Sequence, residues 1–402
     1  MFKKMPKWQR NLYVLTFCSF WIAISFGLVT PFMSFYIETL GDFSNAQVNI
    51  LSGVVFAALF VTMAITAPIW GKMADNRGRK VMLIRSSLGS GMTFILMGLA
   101  PNVWVLILGR ALQGVFAGYV GNANAMVASE VPREKAGKAM GVLVTGSTAG
   151  MLIGPLIGGA LNQVFGYRTI FFLTSCTMFF VFLLTWWFIY EDKSKIIAKV
   201  KTTSEKFGQV LARTQAKSLI IGLFFTTLIV NLANMSINPI VSLYVKELAR
   251  GNTDHLALTA GIVAAAPGIA TIMFATILGR LGDKFGTHRM IVAGFIIIML
   301  SLIPSAFVTS NWQLIATRFM IGIGDATMLP AINALISKNT PRDITSRIFN
   351  YNITFQALGQ IGGSLLGAII AAQFDYPQVF ILTSVIVLIN LLLFKFRVIK
   401  NL

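Results

Sequence analysis

Three charged residues, Asp325, Arg110 and Arg318, each interrupt a long apolar run. A carboxylate or guanidinium in such a run is expensive and normally faces a partner or water. Asp325 falls about midway along its run, and Arg318 lies seven residues earlier, two helical turns away on the same face. An acid that alternates between a dry setting and a wet or arginine-paired one can take up and release a proton, so these residues are candidates for proton coupling. A fixed ion pair joining two helices is the alternative. Gln113 follows Arg110 by one turn and completes a second candidate group, unless Arg110 merely snorkels to the headgroups as an anchor.

Amides at helical spacing form two further stripes: Asn231, Asn234 and Asn238, and Asn352, Gln356 and Gln360. In an apolar surrounding such residues either bind helices together or line a wet cavity. Phe26, Thr30, Met33, Tyr36 and Phe355 would add an adaptable lining to a cavity for a small amphipathic molecule. Ordinary packing is the alternative for each of them.

The chain that must position these side chains has 402 residues, 56% of them apolar and 12% charged, with a mean hydropathy of +0.75. A soluble domain carries about 25% charge, so a water-soluble enzyme is excluded. The sequence pI near 10.2 would otherwise suggest nucleic acid, but the basic residues punctuate apolar runs rather than forming one solvated face. Cys18 and Cys176 lie inside apolar stretches, and His255 and His288 fall in connectors. Neither a metal centre nor a cofactor is expected. The P-loop, zincin and nucleophile-elbow patterns are missing, so the expectation is a protein that is no enzyme and draws on an ion or substrate gradient.

A helix needs about 20 apolar residues to cross a bilayer. Eight single runs and two double ones, broken at Pro101-Asn102 and Ser310-Asn311, give twelve transmembrane helices in an all-α membrane protein. Lys and Arg accumulate on the cytoplasmic side. Placing both termini there leaves only Arg168, Lys246 and Arg250 outside and Arg110 and Arg318 within the membrane, so the net charge of +19 reads as a topology signal. The basic surface would also meet anionic lipid headgroups. A cell-membrane location follows, with no cleaved signal peptide expected.

The chain repeats itself at a shift of 208 residues. Pro31, Ser34 and Tyr36 recur as Pro239, Ser242 and Tyr244; Gly71, Asp75 and Gly78 as Gly279, Asp283 and Gly286; Arg110 and Gly114 as Arg318 and Gly322. One inserted residue later, Gly150, Gly154 and Gly158 recur as Gly359, Gly363 and Gly367. Two six-helix halves are expected, 1–190 and 218–402, joined by a basic linker at 191–217. Parallel halves of this kind belong to transporters whose substrate site lies where the halves meet.

At this point the residues resemble a family, the major facilitator superfamily, and within it the twelve-helix drug:proton antiporters. Gly71 to Lys80, with Asp75, Arg77, Gly78 and Arg79, is similar to the superfamily's signature loop. Arg110 to Gly114 resembles the proton-coupling motif, and Gly146, Gly150, Gly154, Pro155 and Gly158 resemble the antiporter motif. The resemblance implies the major facilitator fold and a cytoplasmic gate in which Asp75, Arg79 and Glu130 form a latch; a solvated basic turn is the plainer reading. Glycines spaced by four also let two helices approach backbone to backbone, and Pro155 bends its helix, so packing competes with gating there. The context Gly322-Ile-Gly324-Asp325 resembles the tenth span of Gram-positive fluoroquinolone and multidrug exporters. Some of those carry a second acid on the seventh helix, where this chain has Asn238, which favours one proton per cycle.

The expected function is proton-coupled export of amphipathic small molecules by substrate/proton antiport and alternating access, a multidrug efflux activity of the kind that confers antibiotic resistance. The expected partners are substrate, protons and lipid, with no nucleic acid and a monomeric chain. Efflux of a sugar, amino acid or other polar metabolite is the second reading, and a non-transporting receptor or lipid flippase on the same scaffold the third.

Overall fold

A hydrocarbon layer offers backbone groups no water, so a chain this apolar must satisfy them within helices. The computed structural model describes residues 5–191, 207–214, 216–251, 254–341 and 344–395, and among these the membrane-length elements are all helical. Most of the linker expected at 191–217 lies outside the described residues. In chain order the helices are α1 (Lys7–Val29), α2 (Met33–Glu38), α3 (Asn45–Arg77), α4 (Arg79–Gly98), α5 (Val103–Phe116), α6 (Tyr119–Glu130) and α7 (Ala136–Phe188). There follow α8 (Phe207–Ala212), α9 (Lys217–Ile237), α10 (Val241–Leu248), α11 (Leu256–Phe285), α12 (Thr287–Ser305), α13 (Asn311–Lys338), α14 (Thr345–Phe374) and α15 (Tyr376–Leu393).

Among the described residues, 11 segments are long and apolar enough to cross a membrane. One of them, Gly137–Phe188, has 52 residues, about 78 Å if straight against a hydrocarbon core of about 30 Å. Gly166, at φ 73° and ψ 165°, breaks it. The twelve crossings expected from hydropathy are therefore present, with the turn a little before Arg168.

The chain forms two compact units, Met1–Asp42 with Ala58–Thr202 and Phe43–Ala57 with Thr203–Leu402. The start of α3 thus groups with the second unit, where sequence alone would assign it to the first half. Gly53 permits this, because a Cβ there would lie 2.7 Å from the Ser364 carbonyl oxygen on α14.

Inside each unit the sequence repeat recurs as packing. In the first, Gly150, Gly154 and Gly158 of α7 lie on the backbone of α1 at Phe20, Ile24 and Leu28; in the second, Gly359, Gly363 and Gly367 of α14 lie on α9 at Leu228, Leu232 and Ser236. A Cβ on Gly154 would sit 2.8 Å from both the Gly27 Cα and the Ile24 carbonyl oxygen. The Tyr36 hydroxyl donates to the Met97 carbonyl at 2.9 Å, and Tyr244, its repeat partner, donates to Ser305 at 3.3 Å. Gly78 and Gly286 both take φ 94° at the joint before a helix, a conformation that favours glycine.

Because the atoms facing Gly154 are backbone and cannot yield, Gly154→Ala should destabilise the protein by about 1–3 kcal/mol. A Cβ on Gly141 would meet nothing within 4 Å, so Gly141→Ala should be neutral. Equal thermal unfolding midpoints for the two variants in detergent would contradict this account of the glycines.

Candidate functional site

In the second unit, α9 and α13 meet through two polar rungs. The Asn234 Nδ2 donates to both carboxylate oxygens of Asp325, at 3.1 and 3.2 Å. One turn further along, Arg318 Nη2 donates to Asn238 Oδ1 at 3.3 Å. Residues four apart on one helix and seven apart on the other lie on matching faces, so the rungs follow from helical periodicity. Asp325 and Arg318 therefore each engage an amide of α9 rather than one another, unlike the ion pair that sequence left open. Arg318 is buried, and its Nε and Nη1 have no hydrogen-bond partner.

Glycines hold this stretch of α13 close to its neighbours. A Cβ at Gly322 would collide with the Pro267 backbone of α11, and Gly324 abuts Ile298 and the Gly294 carbonyl of α12. Thr271 Oγ1 also donates to the Gly322 carbonyl at 3.1 Å. The acid is thus mounted on a segment with little room to shift, while its hydrogen bonds come from one neutral amide, that of Asn234. Such a carboxylate can change protonation without breaking a salt bridge.

In the first unit, Arg110 Nη1 donates to Gln113 Oε1 at 2.8 Å, as the one-turn spacing predicts. Both side chains are buried, and Gln113 Nε2 has no partner. The helix that carries them stops at Phe116, and Gly118, at φ 111°, precedes α6.

At the signature loop, Arg79 Nη2 lies 4.0 Å from Asp75, whose side chain is exposed. Glu130 accepts from Asn11 Nδ2 at 2.8 Å. The same Asn11 holds the end of α7, donating to the Tyr190 carbonyl at 2.6 Å and accepting from its amide at 3.1 Å. Glu191 accepts from the backbone amides of Arg79 and Lys80, at 2.7 and 2.8 Å, and so supplies negative charge at the N-terminus of α4. Neither Asn11 nor Glu191 was legible as a site residue, since the contacts span more than a hundred positions. Gly71 has open space around it, whereas Gly78 is required by its φ. The side chain of Asp283, in the second copy of the loop, lies outside the described set.

The remaining expected residues are distributed within their units. Phe26 packs on Phe94, with centroids 6.3 Å apart. Thr30 is half-buried, whereas Met33 and Tyr36 are buried, Tyr36 with its ring 4.8 Å from Phe171. Asn231 donates to the Thr227 carbonyl of its own helix. Asn352 is buried with its Oδ1 unpartnered, Gln356 is half-buried, and Phe355 stacks on Phe224 at 5.2 Å. Pro155 sits within α7 between the glycines.

Two copies of one helical unit, each with a membrane-buried arginine served by an amide, define a repeat-built multi-pass membrane protein. The chain belongs to the Major Facilitator Superfamily, which it matches over residues 15–249 and 223–401. It is 44% identical to the multidrug resistance protein MdtG of Dickeya zeae (strain Ech586), over 95% of this chain and 93% of that one. It is 42% identical to MdtG of Salmonella heidelberg (strain SL476), over 95% and 94%. Among solved structures, the nucleoside transporter NupG superposes with a TM-score of 0.80 at 12% identity, covering 96% of this chain and 98% of that chain, a likeness of fold.

Asn238→Leu removes the acceptor on Arg318 and leaves a buried guanidinium short of a partner, which should cost about 1–3 kcal/mol. Asn231→Ala, which cuts only a bond within its own helix, should stay within about 0.5 kcal/mol of the parent. Thermal unfolding of the two purified variants compares them; a larger loss for Asn231→Ala would reverse the assignment of the rungs.

Proposed function

We propose that the protein is a proton-coupled exporter of amphipathic small molecules, a multidrug antiporter with both termini in the cytoplasm that acts as a monomer. The observation that carries this reading is Asp325, held by the Asn234 amide while Arg318 is engaged one turn away by Asn238. Relatives named as multidrug resistance proteins support the substrate class, and the similarity to drug:proton antiporters, including Gram-positive fluoroquinolone exporters, supports the coupling.

The chemistry asked of the site is small. As a carboxylate, Asp325 accepts two hydrogen bonds from Asn234 and attracts a cationic substrate group. Once protonated it becomes a donor, and Asn234 can meet it by turning its amide oxygen toward the new O–H. Both protonation states are then satisfied by the same pair, and substrate and proton compete for one acid. Arg318 keeps its bond to Asn238 in either state, holding positive potential beside the acid. In the first unit, Arg110 and Gln113 offer a guanidinium and an amide for the same cycle, and Asp75, Arg79 and Glu130 contribute to closing the cytoplasmic side. Each tenfold change in proton affinity needs about 1.4 kcal/mol, a quantity that a change in hydration supplies.

Everted vesicles with an imposed pH gradient test this with ethidium and norfloxacin as probes. The parent should exchange protons for at least one of them. Asp325→Asn should insert and fold normally, yet lose coupled exchange by more than about a hundredfold, or about 2.7 kcal/mol of coupling. Retained proton-driven efflux in that variant refutes the assignment.

A further inference from the structure

Arg85 is the basic residue whose position charge counting misjudges. Sequence assigns it to the cytoplasmic segments, but in the structure it is half-buried and reaches the interruption between α5 and α6. Its Nη1 donates to the Val115 carbonyl at 2.8 Å and its Nη2 to the Ala117 carbonyl at 2.9 Å. Trp70 of α3 adds its Nε1, 2.7 Å from the same Val115 oxygen, and its ring lies under the guanidinium at 3.8 Å.

These contacts answer a definite need. In a continuous helix the Val115 carbonyl would accept from the amide four residues on, and so would that of Ala117. Gly118, at φ 111°, turns the chain out of the helix and removes those amides. In hydrocarbon the freed carbonyls need other donors. The guanidinium supplies two, and its charge also complements the negative C-terminal end of α5. The cost of burying Arg85 and the cost of breaking the helix thus offset each other.

The repeat provides an internal control. At the shift of 208 residues, Trp70, Arg85 and Gly118 correspond to Leu278, Ala293 and Ala326, while Arg110 and Gly114 keep their identities as Arg318 and Gly322. The half that lacks all three clamp residues has an unbroken helix, α13, through the equivalent stretch. Break and clamp therefore occur together and are missing together. Crowding does not enforce the break, since a Cβ at Gly118 would meet only the Asn122 Nδ2, at 3.6 Å.

We propose that Arg85 and Trp70 are positioning residues which hold the Arg110-bearing helix open at Gly118, and that the fourth span alternates between this broken form and a continuous helix. In the continuous form the Val115 and Ala117 carbonyls return to backbone amides, and Arg85 and Trp70 are released. The switch moves the segment that carries Arg110 and Gln113 relative to α6. It concerns the chain alone and holds whatever the substrate.

Spin labels on Trp104→Cys and Ala128→Cys, in the full chain with Cys18→Ser and Cys176→Ser, read the switch by pulsed electron resonance without any substrate. The labelled positions would be about 36 Å apart along a continuous helix. The parent should show that distance and a second population from the broken form. Trp70→Leu with Arg85→Ala and Gly118→Ala, which installs the second-half residues, should show the continuous distance alone. Arg85→Lys keeps the charge but loses the fork, and should raise the continuous fraction at least threefold; it guards against misfolding of the triple variant. A single population in the parent, a persisting broken population in a folded triple variant, or an unchanged ratio in Arg85→Lys would each overturn the proposal.

Discussion

A carbonyl, amide or charge facing hydrocarbon has no water to turn to, and it is costly there unless a partner within the protein or a water-filled cavity meets it. Much of the internal architecture follows from that constraint. Asp325 is met by Asn234, Arg318 by Asn238 and Arg110 by Gln113. Where the fourth span breaks, its freed carbonyls are met by a guanidinium and an indole. The glycine rows on α7 and α14 serve the complementary need, since apolar helices in lipid gain little from hydrophobic burial and depend on close van der Waals approach.

The two units share a scaffold but not a chemistry. Glycine rows, tyrosine-to-carbonyl bonds and loop glycines recur in register. The partners of the buried arginines and the acid do not: Asn234, Asn238 and Asp325 stand where the first half has Phe26, Thr30 and Ala117, and Gln113 corresponds to Ile321. Arg110 donates to an amide on its own helix, and Arg318 donates to one carried by a neighbouring helix.

The basic loop between α3 and α4 is tied to the end of α7 by the same logic of orphan groups. Glu191 covers the first amides of α4, and Asn11 closes both hydrogen-bonding groups of Tyr190 while also meeting Glu130. The end of the sixth crossing, the first helix and the signature loop are in this way joined at one corner of the first unit, so that movement of any one element disturbs hydrogen bonds of the others.

Sequence by itself determined the class, the twelve crossings, the repeat and the identity of the unusual charges, because each is a local or periodic property: hydropathy over about 20 residues, a fixed shift, a charge out of place. It also gave the Arg110 and Gln113 contact, which lies within one helical turn. Only the tertiary structure decided that Asp325 and Arg318 part company to separate asparagines, that Tyr36 and Met33 are packed in the interior, and that Arg85, on α4, reaches across to the interruption between α5 and α6. Those outcomes depend on which helix lies beside which, and on where a backbone leaves its helix, and no spacing along the chain encodes either.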